Sequence, residues 1–412
     1  MRGIVTWALV LAAGGAGLAE EGPFDARVKD HKPALTAGGG GTGKGSTEEA
    51  VLAGLTWLAR HQAEDGHWSS TEYTSLCPAD APCRGLGSGE NETGITALVL
   101  LAFAGAGKTD LDKAEYADPI TGKMMCWGRT VQKGLEWLMA SQDDDGCFGR
   151  KRGSHYMYNH LVAEAAMAEF YAMTASPVFE KAAQAGLDFA IAGQNPGAGW
   201  RYSSKCGDND SSATAWGITA LMAARAAGIE IDKKRFADAI AFVESVTDEK
   251  TFKTGYNMKG SGKVIIMGKN EKFDGHDTMT AAALVVRIGS GEKLTSPKVQ
   301  GGAKALLADL PKNAEFKIDY YYWYYGTEAM FLMDGPKGGA WAQWNAAMKA
   351  AVVTGQAGKA KDKNKEDRCL EGSWDSEVDR WAFEGGRVLA TALNVLTLEV
   401  YYRVRPAYVK GK

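Results

Sequence analysis

The sequence has no large excess of charge of one sign: 47 basic residues stand against 50 acidic ones, a formal charge of −3. That leaves no electrostatic footprint for DNA or RNA, so nucleic acid is not expected as a partner. No run after the N-terminus reaches the roughly 18 uninterrupted apolar residues that a membrane-spanning helix needs. No Cys-x-x-Cys pair occurs, which removes a structural zinc site of the usual spacing. What the chain has in quantity is glycine, 51 of 412 residues, together with 12 Trp, 15 Tyr and 13 Phe. So many aromatic residues exclude a disordered chain, and the glycines recur near the ends of predicted helices.

The N-terminus reads as an address. Arg2 supplies a positive charge, residues 4–13 are almost wholly apolar, and Gly17-Leu18-Ala19 precedes Glu20 as a small-x-small cleavage signal. The alternative is a buried N-terminal helix. Residues 1–19 are therefore expected to be a signal peptide, 20–46 a flexible segment with a Gly38–Gly45 linker, and 47–412 the folded domain. An exported location follows, periplasmic or extracellular, with no transmembrane anchor. In that setting the loop from Cys77 to Cys83 favours a local disulfide, which contributes roughly 2–3 kcal/mol. Cys126, Cys147, Cys206 and Cys369 leave their pairing open.

Self-similarity organises the rest. Gly54-Leu55-Thr56-Trp57-Leu58 is followed by Gln62 and Trp68. Gly134-Leu135-Glu136-Trp137-Leu138 is followed by Gln142 and Phe148, and Gly186-Leu187-Asp188-Phe189 by Gln194 and Trp200. In all three, Gly to Gln is eight residues and Gln to the aromatic six. A degenerate copy carries Gln356, an inserted charged stretch Lys359 to Arg368, and Trp374. Stripes at i, i+3 and i+4 predict half-polar outer helices over about 50–62, 130–142, 178–194, 233–247, 299–310 and 341–355. Between them, segments apolar all round predict buried inner helices starting near Glu92, Tyr156, Ser211, Asp277, Tyr321 and Glu384. The fold class is all-α, an (α/α)6 toroid of six helical hairpins.

The Gly, aromatic and Gln spacing, with Lys133-Gly134-Leu135-Glu136-Trp137-Leu138 as its clearest copy, resembles the QW repeat of squalene–hopene cyclases and protein prenyltransferase β-subunits. The stretch Asp319 to Thr327, with Gly385-Gly386-Arg387 through Tyr402, resembles exported prenyltransferase/squalene-cyclase-repeat proteins of planctomycete-like bacteria. In this reading Gln62, Trp68, Gln142 and Gln194 are structural clasps: each Gln amide caps its outer helix while stacking on the following aromatic ring, tying neighbouring hairpins together.

Chemistry in such a toroid is expected where the inner-helix N-termini surround the cavity mouth. The candidates for catalysis are Asp210, Asp208, Asp277 and Glu384; for ligand contact, Tyr156, Tyr321, Tyr322, Trp323 and Arg387. The cyclase resemblance makes Asp210 a general acid, but its Asp-x-Asp-Asp motif is met only as Asp208-Asn209-Asp210-Ser211. The prenyltransferase resemblance implies zinc, and Ser212 and Asp277 stand where its Cys and His belong. Cys206 with His276 is then the remaining metal candidate, and otherwise no cofactor is expected. The Cys-Gly-Glu-Gln of thioester toroids is absent. A carbohydrate hydrolase or lyase would set Asp208 or Asp210 opposite Glu384 or Asp319. His61 and His67 read as surface or packing residues. Incomplete catalytic motifs on an intact repeat favour a binding or scaffold protein whose cavity takes an apolar or peptide ligand, with a protein partner as a further option.

Overall fold

The computed structural model describes residues 46–260, 264–358 and 365–404. The expected signal peptide, the linker and the first part of the Lys359–Arg368 stretch lie outside them. Twelve helices pair into six hairpins among the described residues. The outer helices are α1 (Thr47–Arg60), α3 (Trp127–Ala140), α5 (Pro177–Gly193), α7 (Lys233–Ser245), α9 (Pro297–Leu307) and α11 (Gly339–Gly355). The inner ones are α2 (Glu92–Gly105), α4 (Tyr156–Thr174), α6 (Ser211–Ala226), α8 (Thr278–Gly289), α10 (Tyr320–Asp334) and α12 (Ala382–Leu398). A short α13 (Val400–Arg403) follows.

Composition accounts for this division. On α3 only one face is buried, Trp127, Val131, Leu135 and Leu138, and charged residues occupy the other. On α2 every residue from Gly94 to Gly105 is buried, so the helix needs neighbours on all sides. Each inner helix packs on the next, and α12 returns to α2, closing the ring. The inner starts agree with those expected to within two residues.

The repeat motif ties neighbouring hairpins as expected, but the Gln does so by bridging carbonyls rather than by capping its own helix. Each Gln amide bridges two repeats. Gln142 Nε2 donates to Gly146 O at 3.1 Å and to Ala182 O on the next outer helix at 3.0 Å. Gln62 does the same to Gly66 and Thr130, and Gln194 to Ala198 and Arg235. The helix end is satisfied instead by the indole: Trp68 Nε1 donates to Leu58 O at 2.7 Å, and Trp200 Nε1 to Ala190 O at 2.8 Å. The motif glycine serves the preceding repeat. A Cβ on Gly134 would stand 2.9 Å from the Trp68 ring, and one on Gly186 2.7 Å from Phe148.

Two departures are local. The insertion between α2 and α3 contains a small hairpin, β1 (Glu115–Ala117) with β2 (Met124–Cys126). Asp118 caps its turn and forms a buried ion pair with Arg60 at 2.7 Å. Cys77 and Cys83 do not form the expected local disulfide; both sulfurs face His61.

Candidate functional site

The ring encloses a cavity of about 410 Å³ whose walls are mostly apolar. Ile95 and Leu98 from α2, Val162 from α4, Met279 from α8, and Leu389 and Leu393 from α12 supply them. This follows directly from inner helices apolar all round: some of that surface must face the axis. Polar side chains gather in two places.

The first is a hydrogen-bonded cluster in the wall. Trp216 Nε1 donates to Tyr158 Oη at 2.9 Å and Tyr321 Oη at 3.0 Å, and Ser212 Oγ lies 2.8 Å from Tyr321 Oη. Tyr158 and Tyr321 also bond to each other. Burial pushes both phenols above their ordinary pKa, so they stay neutral donors.

The second lies at the mouth, where Glu90, Asn91, His155, Lys269 and Glu384 line the opening. Glu384 accepts from Asn91 Nδ2 at 3.0 Å. Its position comes from a seam between the first and last hairpins: the Glu384 carbonyl accepts from Ser88 N at 3.3 Å, and Arg387 N donates to Gly85 O at 2.8 Å. Burial, then the Glu90 charge, raise the Glu384 pKa above the usual carboxylate range. Burial lowers that of His155. A long connection between α7 and α8 contributes Tyr256, Val264, Ile266 and Lys269, and residues flanking the start of α12 contribute Trp381 and Phe383.

Of the candidates named from sequence, Glu384 and Tyr321 line this cavity and the others do not. Asp210 is fully buried as the N-cap of α6, accepting from Ala213 N at 2.7 Å, with Arg201 Nε at 4.0 Å. Burial raises its pKa to about 6. Tyr202 and Tyr256, bonded to each other, line the cavity where Asp210 does not. Asp208 is exposed and paired with Arg201. Asp277 stands at the N-cap position of α8 but makes no side-chain capping bond there, and forms an ion pair with Lys253 at 2.7 Å.

Tyr156 Oη accepts from Ser204 N, Tyr322 Oη donates to Asp309 O, and Trp323 packs edge-on to Tyr320. Arg387 is buried in the seam, bound to Arg84 O, Ser373 Oγ and Asp375. Cys206 is exposed, its thiol donating to Asp208 O. His276 bonds through both ring nitrogens, to Asp309 at 2.7 Å and Lys317 O at 3.1 Å. Neither belongs to the group of metal-type ligands in the described residues, which gathers around His61 at the seam.

Sequence reasoning passed over Asn91, Asn159, Tyr256, Lys269, Trp381 and Phe383. The one available signal was the unusual length of chain between α7 and α8, 246–277, too long for a bare turn.

The sequence matches no family model and no curated protein. Solved structures match its fold. The α-1,6-mannanase GH76A of Salegentibacter sp. HEL1_6 superposes with a TM-score of 0.55 at 11% identity, covering 87% of this chain and all of that one. The family 76 mannosidase Bt3792 of Bacteroides thetaiotaomicron gives 0.56 at 10% identity, over 88% and 98% of the two chains. The type II terpene cyclase MstE of Scytonema gives 0.51 at 13%, again over 88% and 98%. At these identities the likeness is one of fold. An inactive variant of the mannanase has been seen with α-1,6-mannotriose, and a variant of the cyclase with geranylgeranyl dihydroxybenzoate.

Proposed function

We propose that this is an exported binding protein of the squalene-cyclase/prenyltransferase-repeat type, holding a small, largely apolar molecule with a polar end in its central cavity. The observation that carries this is the distribution of polarity. The wall offers aliphatic and aromatic surface broken by neutral groups, the Tyr158–Tyr321–Ser212–Trp216 cluster, the Tyr202–Tyr256 pair and Asn159, and the charged residues Glu90, Lys269 and Glu384 stand at the mouth. Such a surface holds hydrocarbon by burial, at about 25 cal/mol per Å² removed from water, while the mouth hydrogen-bonds the polar end. The connection that forms part of the mouth also leaves Ile265 and Met267 exposed, an apolar lip where such a ligand would enter. The acid of the cyclase reading, Asp210, is turned into helix capping rather than toward the cavity.

A direct test titrates the mature protein with an isoprenoid alcohol and follows quenching of Trp216 and Trp381. Saturable quenching that Leu98→Trp abolishes, by filling the cavity, supports the reading. Absence of quenching, with the protein folded, removes it.

One observation favours a second reading, a carbohydrate-active enzyme. Glu384 is a carboxyl kept protonated at higher pH beside a second acid, Glu90, the pairing that glycoside hydrolysis uses for its acid and its base or nucleophile. Release of reducing ends from an α-linked mannan, lost in Glu384→Gln, would establish it.

A further inference from the structure

We infer that His61, Cys77, Cys83 and Cys369 form a structural zinc site that fastens the two ends of the ring together. One ligand atom from each of the four lies within 4.8 Å of every other. His61 Nε2 stands 3.4 Å from Cys77 Sγ, 3.6 Å from Cys83 Sγ and 3.4 Å from Cys369 Sγ. A tetrahedron with Zn–S near 2.3 Å and Zn–N near 2.0–2.1 Å has nitrogen–sulfur edges of about 3.6 Å. The observed distances are those edges. Three thiolates and one imidazole are also the soft donor set that selects zinc over oxygen-seeking cations.

The surroundings fix the donors in place. His61 Nδ1–H donates to Trp57 O at 2.8 Å, which leaves Nε2 unprotonated and facing the sulfurs. The ring is held against Trp57 and Tyr73 at centroid distances of 4.1 and 5.7 Å. Cys83 N donates to Cys77 Sγ at 3.3 Å. The carbonyl of Cys369 accepts from Trp57 Nε1 at 2.9 Å and Arg60 Nη1 at 3.1 Å, so its backbone is anchored to α1. His61 and Cys369 are completely buried.

A disulfide accounts for less of this. Joining Cys77 to Cys83 would employ two sulfurs and leave the convergence of Cys369 and His61 unexplained. A metal employs all four. The location gives it a purpose: His61 ends α1, Cys77 and Cys83 lie in the turn of the first hairpin, and Cys369 lies in a short 3-10 helix (Lys365–Leu370) leading into the last inner helix. His61 and Cys369 are 308 residues apart in sequence. The site would therefore close the toroid where no loop can, between the first repeat and the last.

The test is elemental analysis and native mass spectrometry of the full-length protein made in zinc-supplemented medium. The expected result is about one zinc per chain, as in other four-ligand structural sites. Cys77→Ser and Cys369→Ser should lose it, and Cys206→Ser should retain it. Stripping with a chelator should lower the melting temperature, and added zinc should restore it. Should the seam variants fail to fold, cobalt exchanged into the unmodified protein provides the second readout, with thiolate-to-cobalt charge-transfer and tetrahedral d–d bands. Protein free of stoichiometric metal that takes up no cobalt overturns the assignment. So does a Cys77–Cys83 disulfide in the native peptide map, or iron as the resident metal.

Discussion

Gln356, at the end of the last outer helix, donates its side-chain amide to the carbonyl of Ala50 on the first, at 2.7 Å, and to Gly372 O at 2.9 Å. This is the same bridge that Gln62, Gln142 and Gln194 make between consecutive repeats, here joining the two ends of the chain. Trp374 completes the junction by donating to Val352 O at 2.8 Å. Replacing Gln356 with Ala leaves two buried carbonyls without that donor, at a cost of about 2–3 kcal/mol. Chemical denaturation should show the loss, and Gln356→Glu should not restore it, because a carboxylate cannot donate.

Glycines in the turns separate backbone strain from collision. Gly66 has φ 107°, and a Cβ there would meet Lys133 O at 2.2 Å. Gly122 has φ 69° with nothing within 4 Å. Gly122→Ala should cost about 1 kcal/mol, the left-handed penalty alone. Gly66→Ala should cost at least about 3 kcal/mol, since repeat and neighbour must move apart. Thermal melts of the pair decide it, and equal costs would refute the packing account.

His160 should make the protein sensitive to acid. It is fully buried, Phe148 N donates to its Nδ1 at 3.1 Å, and its Nε2 donates to Gly186 O at 3.0 Å. Burial lowers its pKa to about 3, against about 6.5 in the unfolded chain. Above pH 6.5 both states are neutral and the fold keeps its full stability. As pH falls from about 6.5 toward 3 only the unfolded chain takes up the proton, and about 4 kcal/mol is lost. Urea midpoints measured between pH 7 and 4 should fall, and His160→Gln should flatten that slope.

Asp379 acts with the opposite sign. Its carboxyl accepts from Tyr320 N at 2.8 Å and Trp381 N at 3.0 Å, between Asp319 and Arg380. Burial first, and then the Asp319 charge, raise its pKa to about 8. Below about pH 4 both states are protonated. From there to pH 8 the unfolded chain ionises while the folded one holds its proton, so stability declines as pH rises. Asp379→Asn should remove this part of the dependence, read as melting temperatures between pH 5 and 9.

The repeat, the twelve helices and their division into inner and outer sets were legible in the sequence, because each rests on a property local to a few turns of chain. Apolar spacing along Val131, Leu135 and Leu138 declares one buried face whatever lies opposite. The recurrent Gly, Gln and aromatic positions declare a repeated contact. Even there, which partner each side chain met depended on the neighbouring repeat, as the amide of Gln142 reaching Ala182 shows.

The tertiary structure alone decided which polar residues face the cavity. Asp210 and Glu384 are both acids near inner-helix starts. Capping turned the first into the wall, and the seam with Ser88 and Gly85 held the second at the mouth. The thiols show the same limit: His61, Cys77 and Cys83 belong to the first hairpin, but Cys369 reaches them only once the last hairpin closes on the first. Helical periodicity is written in short-range burial, whereas the closure of a ring brings together residues whose spacing along the chain carries no trace of their contact.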